Sequence, residues 1–139
     1  MAERPLPEGL LAHRGAALMV EAIVDAGPDH AVCRGRVPAD SAFAAGGRAP
    51  AVIAIELAAQ TAAVQQALAA PAGAAPRPGY LVGVREASLR ADVLPTGAAL
   101  VARVRRVARA GPLATYAVSV TGPDGAEILT ATLSTHAGG

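Results

Sequence analysis

The chain has 139 residues, of which 53% are hydrophobic and only 2% aromatic, and its formal net charge at pH 7 is +1. That length is enough for one domain with a sizeable core. Twelve basic residues against eleven acidic ones exclude the strongly basic balance of a nucleic-acid-binding protein. With so few aromatic residues, the core has to be built from Ala, Val, Leu and Ile. Every basic residue is an arginine, a bias shared with the alanine excess. A single cysteine, Cys33, excludes an internal disulfide and fits a reducing compartment. The opening MAERPLPEG lacks the basic-then-apolar pattern of a signal peptide, so a cytoplasmic location is expected. Three scattered histidines and one cysteine have no metal-ligand spacing, and there is no phosphate loop or G-x-S-x-G elbow. No metal or other cofactor is expected.

Residues 1–9 carry two prolines and a glycine and read as an irregular lead-in to a single domain over residues 10–137. Ala16 to Val24 reads as a strand, or a short helix followed by a strand. Gly27-Pro28-Asp29 marks a turn. His30 to Val37 alternates, with Ala31, Cys33, Gly35 and Val37 on one side and His30, Val32, Arg34 and Arg36 on the other, which predicts a half-buried strand. Pro38 to Ala49 is a loop of small residues.

Pro50 to Ala70 (PAVIAIELAAQTAAVQQALAA) runs without a breaker and is rich in good helix formers. It is apolar on nearly every side, which predicts a buried helix, and its glutamine and glutamate interruptions argue against a membrane span. Its one charge is Glu56, among Val52, Ile53, Ile55 and Leu57. A carboxylate there is costly unless it is paired, neutralised or used. Gln60 lies one turn on and can hydrogen-bond it. Spacing alone equally allows a glutamate turned to a solvent gap or a dimer seam.

A breaker-rich linker (71–79) follows, and then only strand-like sequence: Tyr80 to Val93, Ala98 to Ala108, Leu113 to Thr121 and Ala126 to His136. Turn signals at Pro95-Thr96-Gly97, Gly111-Pro112 and GPDG (122–125) separate them, as in an antiparallel meander. The fold class is therefore α+β, one long helix covered by a curved antiparallel sheet. Such a sheet has edges, and pairing them in a dimer is the natural completion.

Four segments in this order resemble a known family. LLAHRGAALMVEAIV is similar to the opening segment and first strand of the hotdog-fold 3-hydroxyacyl-acyl-carrier-protein dehydratases. PAVIAIELAAQ resembles the start of their central helix, and GYLVGVREASLRADVLPTG the strand and turn after it. HAVCRGRV and IAIELAAQT are most similar to the ApeP-like branch found in aryl-polyene gene clusters. The resemblance covers about Leu10 to His136. It implies a hotdog fold and removal of water from a 3-hydroxyacyl thioester held on the 4'-phosphopantetheine arm of acyl carrier protein, in fatty-acid or polyene-type biosynthesis. It also implies a homodimer, or a heterodimer with a related hotdog dehydratase. The family uses an acid on the helix and a histidine on the loop before it, contributed by opposite subunits. Glu56 falls on the acid position, but the histidine position is Ala42, beside a retained Phe43.

His13, inside the family-like LLAHRG segment, is a candidate replacement base, or a structural histidine of that segment. His30 and His136 read as solvated. Tyr80 matches a tyrosine that lines the family's acyl tunnel, or is an ordinary strand tyrosine. Gly46 and Gly47 give a substrate arm close access to the backbone, or are simply loop. Pro50 and Ala51 open the helix, whose start offers N–H donors, from Ala51 onward, to a thioester oxygen. Arg103, Arg105, Arg106 and Arg109 either meet an acidic carrier protein or form a solvated strand face. Three functions follow: a dehydratase with Glu56 as acid and His13 or a water as base, a hotdog acyl thioesterase in which Glu56 activates water, and a catalytically incomplete partner of another dehydratase.

Overall fold

The computed structural model describes residues 3–71 and 79–137. Two strands, β2 (Val20–Ala26) and β3 (His30–Gly35), pair antiparallel around the turn at Gly27-Pro28-Asp29. On β3, Ala31, Cys33 and Gly35 are buried while His30, Val32 and Arg34 are half-buried, as period-two alternation requires. A preceding 3-10 turn at Gly15–Ala17 accounts for the mixed helix-then-strand character of that region.

The central helix α1 (Ala54–Ala69) is entered through a short strand β4 (Arg48–Pro50) and a 3-10 turn at Ala51–Ile53. Its buried face carries Leu57, Ala58, Thr61, Ala62, Val64 and Gln65. Gly35 permits the close approach of this face to the sheet. A Cβ at that position would stand 2.4 Å from the Met19 carbonyl oxygen and 2.8 Å from Leu57 Cδ1. Any side chain there would collide with the Met19 backbone and press on the Leu57 side chain.

Five strands follow: β5 (Gly79–Leu89), β6 (Val93–Pro95), β7 (Leu100–Ala110), β8 (Leu113–Thr121) and β9 (Glu127–Ala137). With the N-terminal strand β1 (Arg4–Pro5), strands β2, β3, β5, β7, β8 and β9 form a seven-stranded antiparallel sheet in the order β1-β2-β3-β7-β8-β9-β5. The expected meander is therefore β7-β8-β9. The first strand after the helix crosses to the far edge beside β9. Strands β4 and β6 pair separately. Between helix and sheet, Ile23, Leu57, Leu100, Tyr116, Leu129 and Leu133 are wholly buried.

The structure departs from the sequence expectation at the lead-in and in the strand after the helix. The lead-in is not irregular throughout: Arg4 and Pro5 pair with Ile23 and Ala22, and the Leu6 N–H donates to Glu21 O at 3.0 Å. A proline is tolerated there because the strand lies at a sheet edge, and Arg34 Nε holds Glu3 at 2.8 Å. The strand expected over Tyr80 to Val93 ends at Leu89, because Val93–Pro95 turns to pair with β4. Of the linker expected over 71–79, residues 72–78 lie outside the described residues.

Among the described residues strand β5 has one partner, β9, and its other edge is open. Tyr80 and Val82 are each 56% exposed, and Leu81, Val84 and Leu89 are exposed as well. An unpaired edge this apolar is a surface built to be covered.

Candidate active site

The segment before the 3-10 turn is fixed by Arg14, whose Nη1 donates to Leu11 O at 2.7 Å and to His13 O at 2.9 Å. Leu11 is buried beneath it. The His13 ring so held meets the first turn of α1, with Nε2 3.2 Å from Glu56 Oε1. The two side chains are 33% and 42% exposed, so solvent and small molecules can reach the pair. The other ring nitrogen, Nδ1, is buried and has no partner among the described residues.

Gln60 explains why Glu56 stays in place. Its Nε2 donates to Glu56 Oε1 at 3.1 Å and to Ala17 O at 2.6 Å. Its Oε1 accepts from the Met19 and Val20 N–H groups at 2.8 and 3.3 Å. This buried, uncharged amide ties the helix to the start of β2 and fixes one carboxylate oxygen. Both His13 and Gln60 use Oε1, which leaves Oε2 without a protein partner among the described residues.

The pair opens into a groove of about 630 Å3 along α1. Its helix wall is the stripe Ala59, Ala63 and Ala67, and Leu10, Leu11, Tyr80 and Leu81 add to the apolar lining. The end farthest from Glu56 is polar. There the Tyr116 hydroxyl donates to Gln65 Oε1 at 2.7 Å and Gln66 Nε2 donates to Thr135 Oγ1 at 2.9 Å. Arg106 and Arg109 line this end too. Burial raises the Tyr116 hydroxyl above its ordinary pKa, and the Gln66 amide, Arg106 and Arg109 offset part of the rise.

His13, Glu56, Gln60 and Tyr80 are thus brought to one groove. Gly46, Gly47, Pro50 and Ala51 are not. Gly46 and Pro50 line a separate shallow depression with Phe43, Arg48 and Val93. The Gly47 carbonyl accepts from the Thr96 N–H at 2.9 Å. Ala51 is wholly buried, and its N–H donates to Asp92 O at 2.9 Å, so this donor is not free for a substrate oxygen. Ala42 is exposed and does not line the groove. His30 is not merely solvated: its Nε2 lies 3.1 Å from Asp25 Oδ2 and its Nδ1 3.5 Å from Asp29 Oδ1, contacts that raise its pKa. No group of three or more His, Cys, Asp or Glu residues that could hold a metal ion occurs among the described residues.

Sequence reasoning missed Tyr116 and Thr135 as groove residues, and it read Arg106 and Arg109 only as a carrier contact or a solvated strand face. Tyr116 and Thr135 carry the inward, buried phase of their strands, a pattern that was legible without revealing that both border the groove.

Solved structures share this architecture. The chain matches a chain of the dehydratase heterocomplex ApeI:P from Xenorhabdus doucetiae with a TM-score of 0.87 and 22% identity, over 98% of this chain and 93% of that one. A hypothetical thioesterase from Streptococcus pneumoniae TIGR4, solved with coenzyme A, matches with a TM-score of 0.62 and 15% identity, over 84% of each chain. A thioesterase from Haemophilus influenzae matches at 0.61 and 13%, over 85% and 77%. One long helix packed against this antiparallel sheet makes the protein a hotdog-fold protein. No curated protein matches the chain in sequence. The chain belongs to the ApeP-like family, whose model, described as ApeP dehydratase, matches residues 5–138.

Proposed function

We propose that this protein is a dehydratase subunit that acts on 3-hydroxyacyl thioesters carried on the 4'-phosphopantetheine arm of acyl carrier protein. The observation that carries this reading is the His13 Nε2 to Glu56 Oε1 contact of 3.2 Å at one end of an apolar groove. Dehydration needs a base for the C2 proton and an acid for the departing 3-hydroxyl. His13 Nε2 takes the C2 proton as the C2–C3 double bond forms. Glu56 gives its proton to the hydroxyl as the C3–O bond breaks, releasing water. Proton return from His13 to Glu56 across their contact then restores both groups. Gln60 holds Oε1 during the cycle and leaves Oε2 for the hydroxyl. Tyr80 and the alanine stripe take the acyl chain.

We also propose a partner subunit. Three features support it: the open apolar edge of β5, Ala42 where the family resemblance implies a histidine, and likeness to a chain of a dehydratase heterocomplex. In that assembly a related hotdog dehydratase brings its own loop histidine toward Glu56 of this chain. Gly46, Gly47 and Pro50, exposed and outside this chain's groove, then belong to the part facing the partner, while Ala51 is buried beneath them. The runner-up is an acyl thioesterase, favoured by the likeness to two thioesterases in fold.

The test is incubation with 3-hydroxyacyl carrier protein, alone and with a histidine-bearing hotdog dehydratase, resolved by mass. The expected product has lost one water. A hydrolysed carrier points to the thioesterase, and an unchanged substrate in both mixtures overturns the enzyme reading. Glu56→Gln keeps shape and hydrogen bonding, and is expected to lower the rate by about 10²-fold or more.

A further inference from the structure

A single irregularity in β7 decides what stands at the far end of the groove. Up to Arg106 the strand alternates: Leu100, Ala102 and Val104 are buried toward the helix, while Arg103 and Arg105 are exposed on the outer face. Strict alternation would send Arg109 outward with them. The pairing with β8 slips instead. Arg106 faces Tyr116, but Ala108 faces Thr115 and Arg109 faces Ala114. Val107 is the extra residue of a β-bulge, which reverses the phase after it. Arg109 therefore sits opposite buried Ala114, on the same side of the sheet as Arg106, and both line the groove.

Neither guanidinium has a carboxylate partner within 4 Å among the described residues. Their contacts are long ones to carbonyl oxygens, Arg106 to Pro28 and Arg109 to Gly111, each at 3.4 Å. A guanidinium left so weakly bonded in a concave site suits an anionic oxygen group. From Glu56 to Ala67 the helix rises roughly 16 Å at about 1.5 Å per residue. Between Gln60 beside Glu56 and Gln66 at the far end, the helix wall is alanine, Ala59 and Ala63, with Ala67 next to Gln66. Amides of a helix interior are already bonded within the helix. That stretch therefore offers little to the amides of a pantetheine arm and suits a hydrocarbon chain.

We infer that the groove selects an acyl chain whose far end carries an anionic oxygen group, with Arg106 and Arg109 as its receptors and the thioester end at His13 and Glu56. This rests on the thioester reading of the site and adds the substrate class. The arginines are specificity-determining residues, remote from the reacting atoms.

The test uses the purified protein and stable thioether analogues of 3-hydroxyacyl-pantetheine, equal in length and ending in either a carboxylate or a methyl group. Calorimetry at neutral pH should show the carboxylate form binding roughly tenfold or more tightly, the scale of one charged hydrogen bond. The preference should shrink with added salt. The paired substitution Arg106→Gln with Arg109→Gln should abolish the preference while leaving affinity for the methyl form intact, which also shows that the variant is folded. Equal binding of the two analogues by the unaltered protein overturns the inference and leaves the thioester reading standing. Binding of neither overturns both. If the variant keeps its preference for the carboxylate but no longer distinguishes phosphopantetheine from pantetheine analogues, the arginines hold the arm's phosphate and the inference fails.

Discussion

His13 Nε2 stands 3.2 Å from Glu56 Oε1, joining the segment ahead of the first long strand to the first turn of the central helix. The contact lies within one chain, so it does not depend on a partner for its formation. Each group is held by something else, His13 through the Arg14 clamp on its backbone and Glu56 through Gln60. A carboxyl and an imidazole fixed in this way lie within hydrogen-bonding reach of each other at the edge of an apolar groove, the geometry on which the proposed acid and base roles rest.

His13→Ala should lower dehydration while leaving the melting temperature nearly unchanged. The ring is one-third exposed, and its buried Nδ1 has no partner among the described residues, so removing it breaks no described hydrogen bond at that atom. Thermal scans and the mass assay together check this. A drop in melting temperature with activity per folded molecule intact would make His13 structural.

Gln60→Leu should be far more damaging to the fold. The substitution keeps the volume but leaves the Met19 N–H and Ala17 carbonyl without their partners. A buried unsatisfied group costs about 1–3 kcal/mol, so the loss should reach about 2 kcal/mol or more. Urea denaturation reads it directly, and a loss below about half a kcal/mol would show that water replaces the amide.

Val82→Lys with Val84→Lys should block assembly without unfolding the chain. Both side chains lie exposed on β5, at the open edge of the sheet. Charged residues at such an edge oppose strand pairing. Light scattering should report a dimer for the unaltered protein, alone or with its partner, and a monomer for the variant. A variant that still dimerises would move the interface elsewhere.

Stability should fall as pH rises from about 9 to about 11, and Cys33 should contribute to that fall. Burial pushes the Cys33 thiol up from 9.0 to about 11, with a hydrogen bond from Thr61 opposing the shift in part. The folded state then holds its proton where the unfolded chain has lost it. The contribution is present below pH 9 and is lost as pH climbs through the folded value. Denaturant midpoints across this range should fall less steeply for Cys33→Ala, and equal slopes would show that the thiol titrates alike in both states.

The sequence by itself determined the strand faces and the helix. Ala31, Cys33, Gly35 and Val37 alternate because a strand buries every second residue, and an unbroken apolar run between a proline and a breaker-rich linker has no other compact use than a covered helix. The family motifs also marked His13, Glu56, Gln60 and Tyr80 one by one. Only the tertiary structure brought them to one groove, since hydrogen bonds from Arg14 and Gln60 across the chain set their positions. It alone sent β5 to the edge beside β9, a matter of strand pairing that local pattern does not encode. It alone separated the arginines as well. Arg103 and Arg105 face outward by alternation, whereas Arg109 joins Arg106 in the groove because β7 carries one residue more than β8 at Val107, and such a slip exists only between two paired strands.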